Sequence, residues 1–189
     1  MSEQLNNVFE SPLSGKVYEG AISIQDYTNK QRWGFRGKDA AAALRAEGWK
    51  LPKAPNQIIT VPGDTLIMAL SQREFWFLDP STDAPIPSDV DQALSEGMYP
   101  LFCQSSHAWL VVSGDQKSEM MAKLCGVDLS PDAFSVGDVA QTQMALINCI
   151  VARHELDGSD VFTILVDQSY AQYALEALLD ARAEFCRSS

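Results

Sequence analysis

A chain of 189 residues, 46% hydrophobic and 21% charged, has room for one sizeable domain or two small halves sharing a core. That balance excludes wholesale disorder, collagen and a disulfide scaffold. Acidic residues outnumber basic ones 25 to 14, a formal charge of −11, which makes nucleic acid and anionic membranes poor partners and suits docking on a basic protein face.

Residues 1–17 read as an irregular lead-in. Alternating stretches at 21–24 and 32–35 predict strands around a polar turn at 26–30. The alanine-rich stretch 38–47 predicts a helix, with Asp39 near its start and Gly48 as its stop. Strands follow at 57–61 and 65–70, joined by the turn signal Pro62-Gly63-Asp64, and another at 74–78. A loop rich in Pro and Asp leads to a short helix at 90–95, closed by Gly97. Strands are then predicted at 101–104 and 108–112. A helix follows at 116–124, with Asp115 as acceptor at its start and Gly126 as a left-handed end. Residues 139–147, 149–154 and 161–166 read as strands, with a turn at Asp157-Gly158. The last helix carries a capping-box pattern, Ser169 with Gln172, and lines Ala171, Ala174, Leu175, Leu178, Ala181 and Phe185 along one face.

The two halves repeat an order. Trp33 and Gly37 before a helix stopping at Gly48 are answered by Trp109 and Gly114 before a helix stopping at Gly126. Gly63-Asp64 is answered by Gly137-Asp138, Met68-Ala69-Leu70 by Met144-Ala145-Leu146, and 75–79 by 162–167. The spacing is roughly 75 residues, a period on which a strand-helix-strand-strand-helix unit recurs. The expected fold class is therefore α+β, with two pseudo-repeated halves and antiparallel-rich sheets: lead-in 1–17, first half 18–98, second half 99–189.

Motifs for independent chemistry are sparse. His107 and His154 are the two histidines, and no GxSxG elbow presents a serine. His107 reads as a strand-end residue beside Ser105 and Ser106, and His154 as part of a solvated charged edge. Two histidines and four scattered cysteines, Cys103, Cys125, Cys149 and Cys186, give no zinc spacing, and the thiols read as buried small hydrophobes in a reducing compartment. Neither GxxxxGK[ST] nor GxGxxG is present. The pair Asp157 and Asp160 reads as solvated loop charge. No basic n-region or apolar h-region is visible, and no apolar run reaches the ~20 residues that cross a bilayer, so the cytoplasm is the expected compartment. Trp76, between Phe75 and Phe77, puts aromatics on both faces of one strand, so either both faces are covered or one meets a partner. Tyr170 and Tyr173 pose the same question.

The second half resembles a family. Gly126, Asp128 and Leu129 precede Phe134 and Gly137, the strand Ala140-Gln141-Thr142 follows, and Val166, Asp167, Ser169, Tyr170 and Ala171 lead into the last helix. In this order the motifs resemble the gamma subunit of heterotetrameric sarcosine oxidase over residues 110–186. The first half fits more loosely, through Ala69-Leu70 and 75–78. Two departures stand out: Gln168 replaces the family's arginine before Ser169, and 70–76 replaces its Gly-Pro-Asp-Glu-Trp.

The resemblance implies a fold similar to the folate-binding domain of glycine-cleavage aminomethyltransferases. It implies a complex that oxidises sarcosine to glycine and hydrogen peroxide and passes the one-carbon unit to tetrahydrofolate. FAD, FMN and NAD belong to the larger subunits and zinc to the smallest, so no catalytic, cofactor-binding or metal residue is assigned to this chain. Alpha, beta and delta subunits are the implied partners, with a homodimer of the isolated chain as a further option. Trp76, Gln168, Ser169, Tyr170 and Tyr173 are the candidate interface residues. The alternatives are a free-standing folate-binding or aminomethyltransferase-like protein, a subunit of a related N-methylglutamate dehydrogenase, and an unrelated α+β binding module.

Overall fold

The computed structural model describes residues 10–82 and 97–186. The helix expected at 90–95 lies outside them. One sheet has six strands, β1 (Val17–Tyr18), β2 (Ser23–Asp26), β8 (His107–Ser113), β9 (Val139–Met144), β10 (Ile147–Leu156) and β11 (Ser159–Asp167), in the order β1-β2-β8-β11-β10-β9. The other has five, β3 (Gln31–Arg36), β4 (Gln57–Thr60), β5 (Leu66–Ser71), β6 (Glu74–Asp79) and β7 (Tyr99–Leu101), in the order β4-β5-β6-β3-β7. Every pairing is antiparallel. Four helices complete the described fold: α1 (Ala40–Ala46), the single turn α2 (Cys103–Ser106), α3 (Lys117–Ala122) and α4 (Ala171–Arg182).

The sheets stack face to face. Between them lie Met68, Leu70, Trp76 and Leu78 from one and Trp109, Val111, Ile150 and Leu165 from the other. Behind the six-stranded sheet, α3 and α4 cover Leu110, Phe162 and Ile164 through Met120, Met121, Leu175 and Leu178. Behind the five-stranded sheet, α1 covers Phe75 and Phe77 through Ala40 and Leu44. Central strands with both faces buried need no polar alternation, which is why six consecutive residues of β11, 161–166, are all buried. Each fully buried Leu or Phe contributes about 2–3 kcal/mol relative to exposure.

The internal repeat is visible in the topology. In one sheet β3 pairs β6, β6 pairs β5 and β5 pairs β4. In the other, β8 pairs β11, β11 pairs β10 and β10 pairs β9. Each set runs strand, helix, strand, strand, strand, with α1 answering α3. The halves also exchange a strand, because β2 pairs β8 and β7 pairs β3. The segment between β2 and β3 is thus a crossover between sheets.

Gly37 and Gly114, matched in the sequence repeat, mark the two crossings. A Cβ on Gly37 would stand 1.9 Å from the Gly97 carbonyl oxygen, just before β7, and one on Gly114 would stand 2.2 Å from the Ala21 carbonyl oxygen, just before β2. Gly114 also has φ +118°, which side chains rarely adopt. Gly114→Ala should therefore cost about 2–3 kcal/mol, measured by chemical denaturation of the isolated chain, because backbone on both sides leaves nothing soft to yield. A loss below about 0.5 kcal/mol would mean that the crossing can open freely.

Other correspondences fail. Gly63 sits between β4 and β5, whereas Gly137 precedes β9, so they are not equivalent, and neither are 68–70 and 144–146. The predicted strand 139–147 is broken by Ala145 and Leu146, both with positive φ, which turn the chain into β10. Residues 103–106 form a helical turn instead of a strand, because Gln104 there accepts from the Arg32 amide (2.8 Å) and donates to the Thr28 carbonyl (3.1 Å). Asp115 forms no cap on α3, and Gly126 is not left-handed, because Cys125 continues into a bridge with Met144. The Ser169–Gln172 capping box is absent. Ser169 donates to Asp167 (2.6 Å), a charged and stronger acceptor, and Gln172 turns to Glu176 (2.8 Å).

Candidate functional site

The antiparallel register brings the start of β8 against the end of β11, with His107 opposite Asp167. The start of β6, carrying Glu74 and Trp76, reaches the same end of the stacked sheets, where the Trp76 ring meets the His107 ring edge to face at 4.8 Å between centroids. Trp76 Nε1 donates to Glu74 Oε1 (3.0 Å), and Glu74 is held by Arg36 at 2.6 Å. His107 Nδ1 lies 2.8 Å from Ser106 Oγ. Asp167 Oδ1 accepts from the Ser169 amide (2.9 Å) and hydroxyl, closing a 3-10 turn at Gln168–Tyr170 that feeds α4.

Four candidate residues are therefore gathered at one end: Trp76 through His107, and Gln168, Ser169 and Tyr170 through Asp167. Tyr173 lies one helical turn further on and donates to the Ala145 carbonyl at 2.8 Å. Tyr170 and Tyr173 are half exposed, but Trp76 is only 5% exposed. Phe75 and Phe77 are equally buried on the opposite side of β6, so both faces of that strand are covered within the chain. A partner can meet Trp76 only at its rim.

Beside this end runs an open groove of about 660 Å³, lined by His107, Gln141, Gln143, Asn148, Ile150 and Leu165 among others. Gln141 closes one side by donating to Asn56 Oδ1 (2.8 Å) and the Leu70 carbonyl (2.7 Å). The groove offers neutral amides and one imidazole. Burial pushes the His107 pKa down, against the raising influence of Asp167 and Glu74. The Ser169 hydrogen bonds hold the Asp167 carboxyl below its usual range. Among the described residues no hydrogen bond joins Asp167 to His107, so Ser106, His107 and Asp167 do not form the ordered relay of a hydrolase.

His154 is not on a solvated edge. It is buried between the sheets, with Nε2 2.8 Å from Thr163 Oγ1 and Nδ1 3.0 Å from the Glu155 carbonyl. Trp109 Nε1 donates to the same hydroxyl at 3.0 Å, so Thr163 can donate onward to a neutral imidazole protonated at Nδ1. Burial lowers its pKa accordingly. Asp160 is likewise no loose loop charge, since it binds both Lys117 (2.9 Å) and Arg153 (2.6 Å). Of the four cysteines expected to be buried, Cys103, Cys125 and Cys149 are and Cys186 is exposed; burial pushes the Cys103 and Cys149 thiols up to about 12. Among the described residues no group of three His, Cys, Asp or Glu side chains is placed to hold a metal ion, and no helix is long and apolar enough to cross a membrane.

Sequence reasoning did not single out Glu74 at this end, and it named Asp167 only within the motif before the last helix, because the partners of both arrive from distant strands.

Known proteins share the fold. The family model described as sarcosine oxidase, gamma subunit family, matches residues 36–184. The sarcosine oxidase subunit gamma of Corynebacterium sp. (strain P-1) is 26% identical over 171 residues, which cover 88% of this chain and 82% of that protein. A chain of the heterotetrameric sarcosine oxidase from Corynebacterium sp. U-96, solved in complex with pyrrole 2-carboxylate, has the same fold, with a TM-score of 0.75 and 24% identity over 92% of this chain and 90% of that one. The glycine cleavage system aminomethyltransferase T from Bartonella henselae shares the fold more distantly, with a TM-score of 0.59 and 15% identity over 82% of this chain and 44% of that one. Because the family model spans most of the chain, from the end of β3 to the end of α4, the chain belongs to the sarcosine oxidase gamma subunit family.

Proposed function

We propose that this chain is the non-catalytic gamma subunit of a flavin-dependent heterotetrameric sarcosine oxidase, working in the cytoplasm beside alpha, beta and delta subunits. The whole complex demethylates sarcosine oxidatively to glycine and passes the one-carbon unit to tetrahydrofolate. In this reading FAD, FMN, NAD and tetrahydrofolate sit in the partner chains, and this chain binds none of them. Its organisation is a lead-in of residues 1–17 and halves of 18–98 and 99–189 locked by the exchanged strands. The carrying observation is the family match across residues 36–184. The net charge of −11 and the tyrosines exposed at the end that gathers Gln168 and Ser169 support a docking role.

The test is co-expression of the tagged chain with the alpha, beta and delta chains of the same source. Larger chains should co-elute with a flavin spectrum and with sarcosine-dependent peroxide formation. A colourless species that ignores co-expressed partners would overturn the reading, and turnover of N-methylglutamate instead of sarcosine would reassign the complex. The likeness to aminomethyltransferase T favours one second reading, a free-standing folate-binding protein. Titrating tetrahydrofolate into the isolated chain should leave tryptophan fluorescence unchanged, and saturable quenching would favour that second reading.

A further inference from the structure

The tip between β9 and β10 carries two costs at one residue. Met144 pairs with Ile147, so Ala145 and Leu146 form a two-residue turn, with φ +48° and +70°. Such turns favour Asn-Gly, because a Cβ in the left-handed region crowds the following carbonyl. The equivalent turn between β4 and β5 uses Gly63 and Asp64 at its positive-φ positions, residues suited to it. Leu146 is nevertheless 88% exposed, so the isolated chain recovers almost nothing by burying it.

The tip is also held rigid. Tyr173 Oη donates to the Ala145 carbonyl (2.8 Å), the Ala145 amide donates to the Leu124 carbonyl (2.9 Å), and Gln143 donates to Asn148 across the strands (3.2 Å). Tyr173, 47% exposed, and Tyr170, 51% exposed and three residues earlier, extend the apolar surface. Beyond them the outward face of α4 continues through Glu176 and Asp180, both exposed. Arg182, the basic residue of that helix, is turned away to the Ile22 and Glu19 carbonyls. A second copy docking through this patch would set acid against acid, whereas a basic partner complements it.

We infer that Leu146, flanked by Tyr173 and Tyr170, is the rigid anchor by which this chain docks on a larger oxidase subunit, in an apolar pocket bordered by lysine or arginine facing Glu176 and Asp180. The inference rests on the gamma-subunit reading above. A preorganised apolar knob beside exposed tyrosines, with acid further along the same face, has the anatomy of an interface anchor, tyrosine being enriched at hot spots.

Leu146→Gly separates the two costs. In the isolated full chain it relieves the turn and should raise Tm by about 2–4 °C. In the co-expressed complex it should weaken association with the larger subunits at least about tenfold, and Leu146→Asp should weaken it further. A Leu146→Gly chain that associates as tightly as wild type overturns the inference. So does wild-type self-association that Leu146→Gly abolishes, which would give the patch to a second copy. Failure of the wild-type chain itself to associate sinks the gamma-subunit reading first, and is told apart by needing no variant.

Discussion

Replacing Arg32 by methionine should destabilise the chain by about 3–5 kcal/mol, seen as a fall in Tm of roughly 8–15 °C. Arg32 is completely buried, yet no carboxylate pairs with it among the described residues. Its guanidinium donates instead to backbone carbonyls. Nη1 reaches Tyr27 (3.4 Å), Thr28 (2.9 Å) and Lys30 (3.1 Å), and Nη2 reaches Gln104 (3.1 Å) and His107 (2.7 Å). Those carbonyls belong to the two crossovers that exchange strands between sheets, so one side chain fastens both. Burial pulls its pKa down to about 10, which leaves it charged at neutral pH.

Two effects of the replacement oppose each other. Removing a buried cation relieves its desolvation, but methionine withdraws a donor from five carbonyls. Tyr27 keeps the Lys30 amide (2.8 Å) and Thr28 keeps the Gln104 side-chain amide (3.1 Å), so the loss falls mainly on the others, at about 1 kcal/mol or more apiece. The number of orphaned acceptors decides the sign. Arg32→Lys should lose roughly half as much, because one ammonium cannot span both crossovers. If Arg32→Met unfolds within about 1 kcal/mol of wild type, water serves those carbonyls and the fastening role is wrong.

Asp160→Asn should cost about 3 kcal/mol at pH 7. Lys117 and Arg153 have side chains only 7% and 10% exposed, and Asp160 is the carboxylate bonded to both. Asparagine keeps the shape and strands two cations. The figure sits at the low end for a broken buried pair, because a third of the Asp160 side chain remains in water. Arg153 retains its bond to the Phe134 carbonyl (2.7 Å), so Lys117 bears most of the loss.

The same carboxylate sets an acid limit. Burial raises its pKa, but the hydrogen bonds from Arg153 and Lys117 outweigh burial and hold it below the usual value. A lowered folded pKa means that the unfolded chain takes up the proton first. The stabilisation is complete above about pH 4 and is lost as pH falls through the folded value. In denaturation series from pH 7 down to pH 3, the gap between wild type and Asp160→Asn should therefore stay constant to about pH 4 and narrow below it. A gap that stays constant down to about pH 3 would refute the ion-pair account.

Several features were legible in the residues alone. Helical spacing of Ala171, Ala174, Leu175, Leu178, Ala181 and Phe185 placed the buried face of the last helix; the first five are buried in α4, and Phe185 is half-buried in the 3-10 turn that follows it. Gly-Asp and Asp-Gly turn signals placed the β4–β5 and β10–β11 hairpins. The repeat was legible as an order of element types but not as a residue alignment, because glycines serve every turn and carry little register. Charged residues were the least legible. Asp160 and His154 looked like surface charge because nothing local announces a partner that arrives from a distant strand or helix.

While missing the turn at 145–146 and the helical turn at 103–106, sequence by itself determined most of the helices and strands, the Gly-Asp and Asp-Gly turns, and the α+β class. These follow from side-chain periodicity and backbone freedom, which act over a few neighbouring residues. Tertiary structure alone decided that β2 and β7 change places, that Arg32 is buried without a carboxylate, that Trp76 faces inward, and that Leu146 stands out on a strained tip. Each depends on which backbone crosses which, and a buried charge or an exposed leucine takes its cost from surroundings that distant parts of the chain supply.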